Sequence, residues 1–100
     1  MNIMLNLNLL AKDCYFCALK REKIKINSTI LQHRTSIIME DIEFIDACET
    51  PDKISAHLPS YNEIDEEAID GIITRLTFLA SREINVEMLL KAKLEYNKTR

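Results

Sequence analysis

The chain contains almost none of the residues that interrupt helices. Among its 100 residues there are one glycine and two prolines. The prolines are Pro51 and Pro59. Glycine and proline are the residues that most destabilise helix interiors and that most often form turns. The sequence therefore predicts long, uninterrupted helices and one substantial loop, over residues 49–60.

Four helices are predicted, which makes the chain all-α. The first runs from about Asn2 to Lys25, and basic residues in its last turns suit the negative end of the helix dipole. The second helix begins after an N-cap at Asn27 or Ser28 and reaches about Cys48.

The third helix is predicted to begin after Ser60, because Glu63 completes a capping-box pattern with that serine, and to end near Arg82. Asn85 starts the fourth helix, which ends near Lys98. No stretch of alternating apolar and polar residues is long enough to predict a strand. The expected architecture is an antiparallel four-helix bundle.

Composition limits the classes of function. Apolar residues make up 47% of the 100-residue chain, which argues against disorder and fits one domain over residues 1–100. A net charge of −3 argues against binding to nucleic acid polymers, which usually needs a basic surface. The apolar N-terminal stretch ends at Lys12 and Asp13, too early to span a membrane. We therefore expect a cytoplasmic protein without a membrane partner.

Two acidic motifs lie in the second and third predicted helices. Glu40 and Glu43 are three residues apart, and so are Glu67 and Asp70. Positions i and i+3 share a helix face, so each helix presents a pair of carboxylates in one direction. A loop and a chain reversal fit between the motifs, so the two pairs could meet. Clustered carboxylates repel one another unless cations lie among them, and oxygen ligands suit Mg²⁺ or Mn²⁺.

The residues around the motifs favour a metal site over a solvated helix surface, which is the usual meaning of a single ExxE. The second helix is apolar around much of its circumference, so it is expected to be buried on several sides, where unpaired acidic residues cost free energy. Gly71, beside Asp70, is expected to widen the space at the carboxylates. The third helix is predicted to place the following apolar stripe in the core: Ile69, Ile72, Ile73, Leu76, Leu79 and Ala80.

In order and spacing, the four carboxylates resemble the ExxE and ExxD motifs of the MazG-like all-α nucleotide pyrophosphohydrolases. The C-terminal string from Lys91 to Arg100 resembles the closing helix of that family, in which K-x-x-Y-N-x-T-R recurs. Residues 66–80 resemble the family's third helix in their apolar register. The likeness covers roughly residues 30–100 of this chain.

This resemblance implies hydrolysis of a nucleoside triphosphate, usually a deoxynucleotide, to the monophosphate and pyrophosphate. It implies that the four carboxylates bind Mg²⁺, with Mn²⁺ as an alternative ion, and that Glu40 and Glu43 are catalytic. Which carboxylate acts as general base stays open. It also implies a homodimer or homotetramer.

On the fourth helix, the resemblance implies that Lys93, Asn97 and Arg100 bind the phosphates. The alternative for these residues is a solvated helix end whose positive charge suits the dipole. The family's Gly-aromatic turn after the first helix is missing here, where Lys20 to Lys23 stand instead. The nucleobase preference is therefore open.

The sequence allows two other interpretations. Cys14 and Cys17 form a CxxC motif, but without a second CxxC they are better interpreted, with Cys48, as reduced thiols in the core than as zinc ligands. The rival function is a non-catalytic helical interaction or oligomerisation module. In that case the carboxylates are ordinary solvated charges and the apolar surface binds a partner.

Overall fold

The computed structural model describes residues 6–100, and over that range the protein is all-α. Its helices are α1 (Leu7–Lys20), α2 (Ile30–Ala47), α3 (Glu63–Ser81) and α4 (Val86–Lys98). The described range contains no strand, and an isolated bridge joins Ile54 to Asn62. The prediction of four helices without strands is thus confirmed. None of the helices within residues 6–100 has both the length and the apolar character needed to cross a membrane.

α1 begins after an asparagine cap. The side chain of Asn6 accepts a hydrogen bond from the backbone N–H of Leu9, at 3.1 Å, which satisfies one of the amides that a helix start leaves without an intrahelical partner. The predicted start at Asn2 lies outside the described residues.

α1 ends at Lys20, five residues before the predicted end at Lys25. Glu22 adopts the left-handed backbone conformation, with φ of 59°, and the N–H groups of Glu22 and Lys23 donate to carbonyls of the last helical turn. This is a Schellman motif, which usually has glycine at the left-handed position. The prediction of a longer helix was wrong because a glutamate gives no sequence signal of such a stop.

α2 begins after Thr29, so the predicted caps at Asn27 or Ser28 were wrong by one or two residues. The side chain of Thr29 accepts from the N–H of Gln32 at 3.2 Å, and the side chain of Gln32 accepts from the N–H of Thr29 at 2.8 Å. This reciprocal pair is a capping box. The predicted end of the helix near Cys48 is confirmed, since Cys48 is the C-cap.

α3 begins at Glu63, directly after Asn62. The carbonyl of Asn62 accepts the first helical hydrogen bond, from the N–H of Glu66, so the capping box predicted at Ser60 is not formed. α4 follows Asn85, whose side chain caps it by accepting from the N–H of Met88 at 3.1 Å. Its predicted bounds are confirmed.

The chain forms two compact units. The terminal unit consists of Met1–Ile26 with Leu76–Arg100, and the central unit is Asn27–Arg75. The boundary falls within α3. The prediction of one domain over residues 1–100 is not tested by this division and stays a prediction.

In the terminal unit, α1 packs against α4. The amide of Asn8, on α1, donates to the side chain of Asn85 at 2.9 Å, and its oxygen accepts from the N–H of Glu87 at 3.2 Å. The N-terminus of α4 is thus capped in part from α1. Ala11 and Val86 are buried in this unit.

Much of the apolar surface predicted to be core is exposed. On α3, Ile69 and Ile72 are each 53% exposed. α2 was expected to be buried on several sides, yet Ile38, Ile42 and Ile45 are exposed as well. The sequence pattern identified apolar faces correctly, but an apolar face only shows that some surface must be covered, not that the same chain covers it.

Gly71 offers a stability test. It lies in the interior of α3, and a Cβ built there would meet Arg75 Nη1 at 3.5 Å and Asp41 Oδ1 at 4.0 Å, which are ordinary contacts. The prediction that Gly71 widens the space at the carboxylates stays a prediction. Gly71→Ala should stabilise the fold by about 1 kcal/mol, raising Tm by roughly 4–8 °C.

Thermal unfolding followed by circular dichroism measures this effect. Ala68→Gly, at an exposed position of the same helix, is the matched control and should lower Tm by a similar amount for the same reason. A Gly71→Ala protein less stable than the wild type would show that the neighbouring side chains cannot accommodate the methyl group.

Candidate metal centre

α2 and the N-terminal half of α3 bring three of the predicted carboxylates together within the central unit. One oxygen from each of Glu40, Glu67 and Asp70 lies within 4.8 Å of the other two. All three residues are partly buried. No other group of three potential metal ligands is present among residues 6–100. An all-oxygen set of this kind suits a hard divalent cation such as Mg²⁺ or Mn²⁺.

Of the three residues, Glu67 has the electrostatic environment that most favours a bound cation. Its Oε2 atom is shielded from solvent and accepts no hydrogen bond. Burial, and next the negative charges of Asp70, Glu43, Glu66 and Glu40, raise the pKa of the Glu67 carboxyl to about 7. A buried carboxylate oxygen without a donor is costly when ionised. A bound cation would remove both the lost solvation and the repulsion.

Glu43, the fourth predicted ligand, lies at the edge of the cluster. It is exposed and does not belong to the group of oxygens within 4.8 Å of one another. Its charge nevertheless helps to raise the pKa of Glu67. The structure thus brings Glu40, Glu67 and Asp70 together, with Glu43 close enough to act on them electrostatically.

The predicted phosphate-binding residues lie on α4, in the terminal unit. Lys93, Asn97 and Arg100 are all exposed. Lys93 Nζ lies 4.8 Å from the centroid of the Tyr96 ring and Arg100 Cζ lies 5.9 Å from it, so both cations stack on one aromatic side chain. Their role with phosphates stays a prediction.

A hydrogen-bonded cluster next to Glu67 was not predicted. Ser55, which is 2% exposed, donates from Oγ to Glu66 Oε1 at 2.5 Å and accepts from the N–H groups of His57 and Leu58. His57 Nδ1 lies 3.1 Å from Glu66 Oε2. The hydrogen bonds from Ser55 and then His57 lower the pKa of Glu66. They also anchor the loop before α3 to the first turns of that helix.

These residue types are those of a hydrolytic triad, but the arrangement is not one. In a triad the histidine removes the proton of the serine hydroxyl. Here Ser55 donates directly to Glu66, and His57 contacts that same carboxylate. The cluster therefore positions the loop and does not activate a nucleophile.

Asp41, inside the first acidic motif, has a different role from its neighbours. Arg75 Nη2 donates to both of its carboxylate oxygens, at 3.0 and 3.1 Å, and Arg75 Nη1 donates to the carbonyl of Gly71 at 3.2 Å. Both side chains are about half exposed, so the pair contributes little free energy, roughly 0–1 kcal/mol. It does fix α2 and this part of α3 against each other beside the carboxylates.

The three cysteines are free thiols. Cys14 is partly buried, and burial raises the pKa of its thiol, whereas Cys17 and Cys48 are exposed. The prediction that all are core residues was therefore wrong for the latter two. His33, seven residues before Glu40, is buried, and burial lowers its pKa.

The raised pKa of Glu67 predicts how stability depends on pH when no metal is bound. The folded state favours the protonated carboxyl, since its pKa is about 7 against an ordinary 4.5. This contribution is complete below the ordinary pKa and is lost as pH rises through about 7. We expect Tm to fall by several degrees from about pH 5 to 8 relative to Glu67→Gln, which lacks this titration.

Calorimetry in buffer containing a chelator gives Tm as a function of pH for the wild type and for Glu67→Gln. Their difference isolates Glu67, because His33 contributes to both proteins in the same way. Parallel profiles in the wild type and Glu67→Gln would contradict the raised pKa.

Comparison with known proteins adds no family to this geometry: neither protein-family models, nor curated proteins, nor solved structures gave a significant match.

Proposed function

We propose that this protein is a Mg²⁺-dependent nucleoside triphosphate pyrophosphohydrolase of the MazG-like type, cytoplasmic and assembled as a homodimer or homotetramer. The observation that carries the proposal is the convergence of Glu40, Glu67 and Asp70 around a carboxylate oxygen that is buried and accepts no hydrogen bond. The order and spacing of the acidic motifs support the substrate class by resemblance. The antiparallel bundle is proposed on the same basis.

The donor set fits the proposed metal. Glu40, Glu67 and Asp70 supply only oxygen ligands, and neither sulfur nor imidazole belongs to the group. Bound Mg²⁺ supplies Lewis-acid stabilisation of phosphate charge and lowers the pKa of a water molecule. Glu67, whose carboxyl has the raised pKa, would lose its proton when a cation binds.

Glu43 is the residue that we assign as general base. It lies outside the group of three but close enough to act on Glu67, and its exposure leaves it accessible to water. A general base must reach the attacking water while ligands hold the metal. Glu40 is catalytic in this proposal as a ligand. Lys93, Asn97 and Arg100 are proposed to bind the triphosphate.

An assay of pyrophosphate release tests the proposal directly. The common ribonucleoside and deoxyribonucleoside triphosphates are supplied one at a time with Mg²⁺ and then with Mn²⁺. We expect release of pyrophosphate and the matching monophosphate from at least one of them, and none in the presence of a chelator. Failure with every triphosphate and both ions would overturn the proposed activity.

The rival function, a non-catalytic interaction module, is favoured by one observation, the extent of exposed apolar surface on α2 and α4. Met88 on α4 and Leu31 on α2 are 67% and 66% exposed. An oligomeric enzyme accounts for the same surface. The two functions differ in whether divalent cations stabilise the protein.

A further inference from the structure

Two of the three cysteines lie one helical turn apart on α1, in the terminal unit. Cys14 and Cys17 are three positions apart, so at about 100° per residue their side chains lie about 60° apart around the helix. Cys14 follows the buried Ala11 by one turn and is partly buried, whereas Cys17 is exposed. The pair therefore lies at the edge of the buried side of α1, with one thiol open to solvent.

Helix geometry keeps these two thiols from forming a disulfide with each other. The Cβ atoms of residues three apart in a helix are separated by about 5–6 Å, whereas a disulfide needs roughly 3.5–4.5 Å. Both cysteines lie inside α1 (Leu7–Lys20) and are free thiols. Closing a bond between Cys14 and Cys17 would therefore distort a regular part of the helix.

The electrostatic environment of Cys14 does not suit a redox nucleophile. Burial, and next the negative charges of Asp13 and Cys17, raise the pKa of the Cys14 thiol. Cysteines that exchange disulfides have a lowered pKa, because the thiolate is the attacking species. The effect of Cys17 on Cys14 also indicates that the two sulfur atoms lie close to each other. The pair suits a ligand that displaces thiol protons by binding sulfur strongly, and soft metal ions do so.

The number of ligands selects among the soft metal ions. Zinc takes four ligands in structural sites and three protein ligands in catalytic ones, and within residues 6–100 no group of three potential ligands contains Cys14 or Cys17. Cu(I) is selected by thiolates and is satisfied by two of them in a linear arrangement. The two sulfur atoms then stand about two metal–sulfur bonds apart, roughly 4–5 Å, which neighbouring turns of a helix allow.

The charge of such a complex is offset from the end of the same helix. Two neutral thiols and one Cu(I) ion give a bis-thiolate complex of charge −1 and release two protons to solvent. Lys20 and Arg21 follow Cys17 by three and four residues, one turn further along, and both are exposed. Positive charges near a thiol favour its thiolate form, so these residues oppose the effect of Asp13.

We propose that Cys14 and Cys17 bind one Cu(I) ion as a two-coordinate bis-thiolate on α1. The site uses no residue of the carboxylate cluster, so it does not depend on the proposed hydrolase activity. The two sites also differ in the ions that they accept, because carboxylate oxygens suit Mg²⁺ and thiolates suit Cu(I). An excess of Mg²⁺ should therefore leave Cu(I) binding unchanged.

Competition with a chromogenic Cu(I) chelator, bicinchoninate, tests the site in the reduced full chain under oxygen-free conditions. We expect the protein to withdraw one Cu(I) ion per chain from the chelator. Cys14→Ser and Cys17→Ser should each weaken binding by about 100-fold or more, because a second ligand on the same chain contributes an effect of that order. Cys48→Ser is the matched control, since Cys48 is as open to solvent as Cys17, and should bind as the wild type does.

Exchanging two neighbours on α1 tests the geometry at constant composition. A variant with both Phe16→Cys and Cys17→Phe keeps three thiols but places the two on α1 about 160° apart around the helix. It should lose Cu(I) affinity as Cys17→Ser does. Phe16 is 61% exposed, so the exchange should leave the helix intact, as circular dichroism verifies. If the exchanged chain does not fold, Cys17→Ser, at an exposed position, still decides the question.

Three results would overturn the proposal. The first is wild-type Cu(I) affinity in Cys17→Ser or in the folded exchange variant. The second is a loss of affinity in Cys48→Ser equal to that in Cys17→Ser. The third is a doubling of mass in sedimentation when Cu(I) is added, since the ion would then lie between two chains. None of these results bears on pyrophosphate release, which depends on the carboxylate cluster.

Discussion

Replacing Glu67 with glutamine should abolish pyrophosphate release, with kcat/KM falling by about 100-fold or more, as when a group that stabilises transition-state charge is removed. Glutamine keeps the size of the side chain but removes the charge that would hold a cation. The same result is expected for Glu40→Gln and Asp70→Asn, because the three oxygens form one group.

The control for this series is Asp65→Asn. Asp65 lies on α3 and is exposed, and it does not belong to the carboxylate group. It should retain full activity, and circular dichroism should show unchanged helix content in every variant. Full activity in any two of the three cluster variants would refute the assignment of the site.

Glu43→Gln gives a more specific result. If Glu43 acts as general base and not as an obligatory ligand, the variant should lose activity while it still binds the cation. Its apparent Mg²⁺ affinity should therefore stay within a few-fold of the wild type, in contrast to Glu67→Gln. Loss of both activity and Mg²⁺ affinity would instead make Glu43 a fourth ligand.

Mg²⁺ should raise the thermal stability of the wild type substantially. A cation at 100 times its Kd stabilises the folded state by about 2.7 kcal/mol, which in a domain of this size raises Tm by roughly 10–20 °C. The increase should be lost in Glu67→Gln and kept in Asp65→Asn. NaCl of matched ionic strength controls for general screening.

The effect of Mg²⁺ on Tm also separates the two candidate functions, the hydrolase and the interaction module. Stabilisation by Mg²⁺, further increased by a non-hydrolysable triphosphate, is expected of the hydrolase. An interaction module whose carboxylates are merely solvated should show neither effect. Stabilisation by Mg²⁺ without hydrolysis of any triphosphate would leave the metal site in place and remove the proposed activity.

The helices were largely predictable because their signals are local. Asn85 caps α4 as predicted, and the scarcity of glycine and proline correctly indicated long helices. The largest error occurred where a common residue takes an uncommon conformation. Glu22 adopts a positive φ of 59° at the end of α1. Glutamate favours helix interiors, so this end could not be located from propensity, whereas the predicted end of α3 near Arg82 agrees with its last residue, Ser81.

The two pairs of carboxylates were predictable for the same reason, since spacing within a helix fixes which side chains share a face. The length of chain between the motifs suggested that the pairs could meet, and Glu40, Glu67 and Asp70 do so, while Glu43 lies outside their group. Other contacts between distant segments were not predictable. The pairing of Asp41 with Arg75, 34 residues apart, and the anchoring of Ser55 on Glu66 depend on how the loop and helices pack, which one sequence does not encode in any local pattern.

The order of segments in the two units has a consequence for biosynthesis. The central unit, Asn27–Arg75, is continuous in sequence, whereas the terminal unit combines Met1–Ile26 with Leu76–Arg100. On the ribosome, α1 must therefore wait for α4 to emerge before the amide of Asn8 can reach Asn85. The segment that carries the carboxylate cluster can fold during translation, and the two parts of the terminal unit associate last.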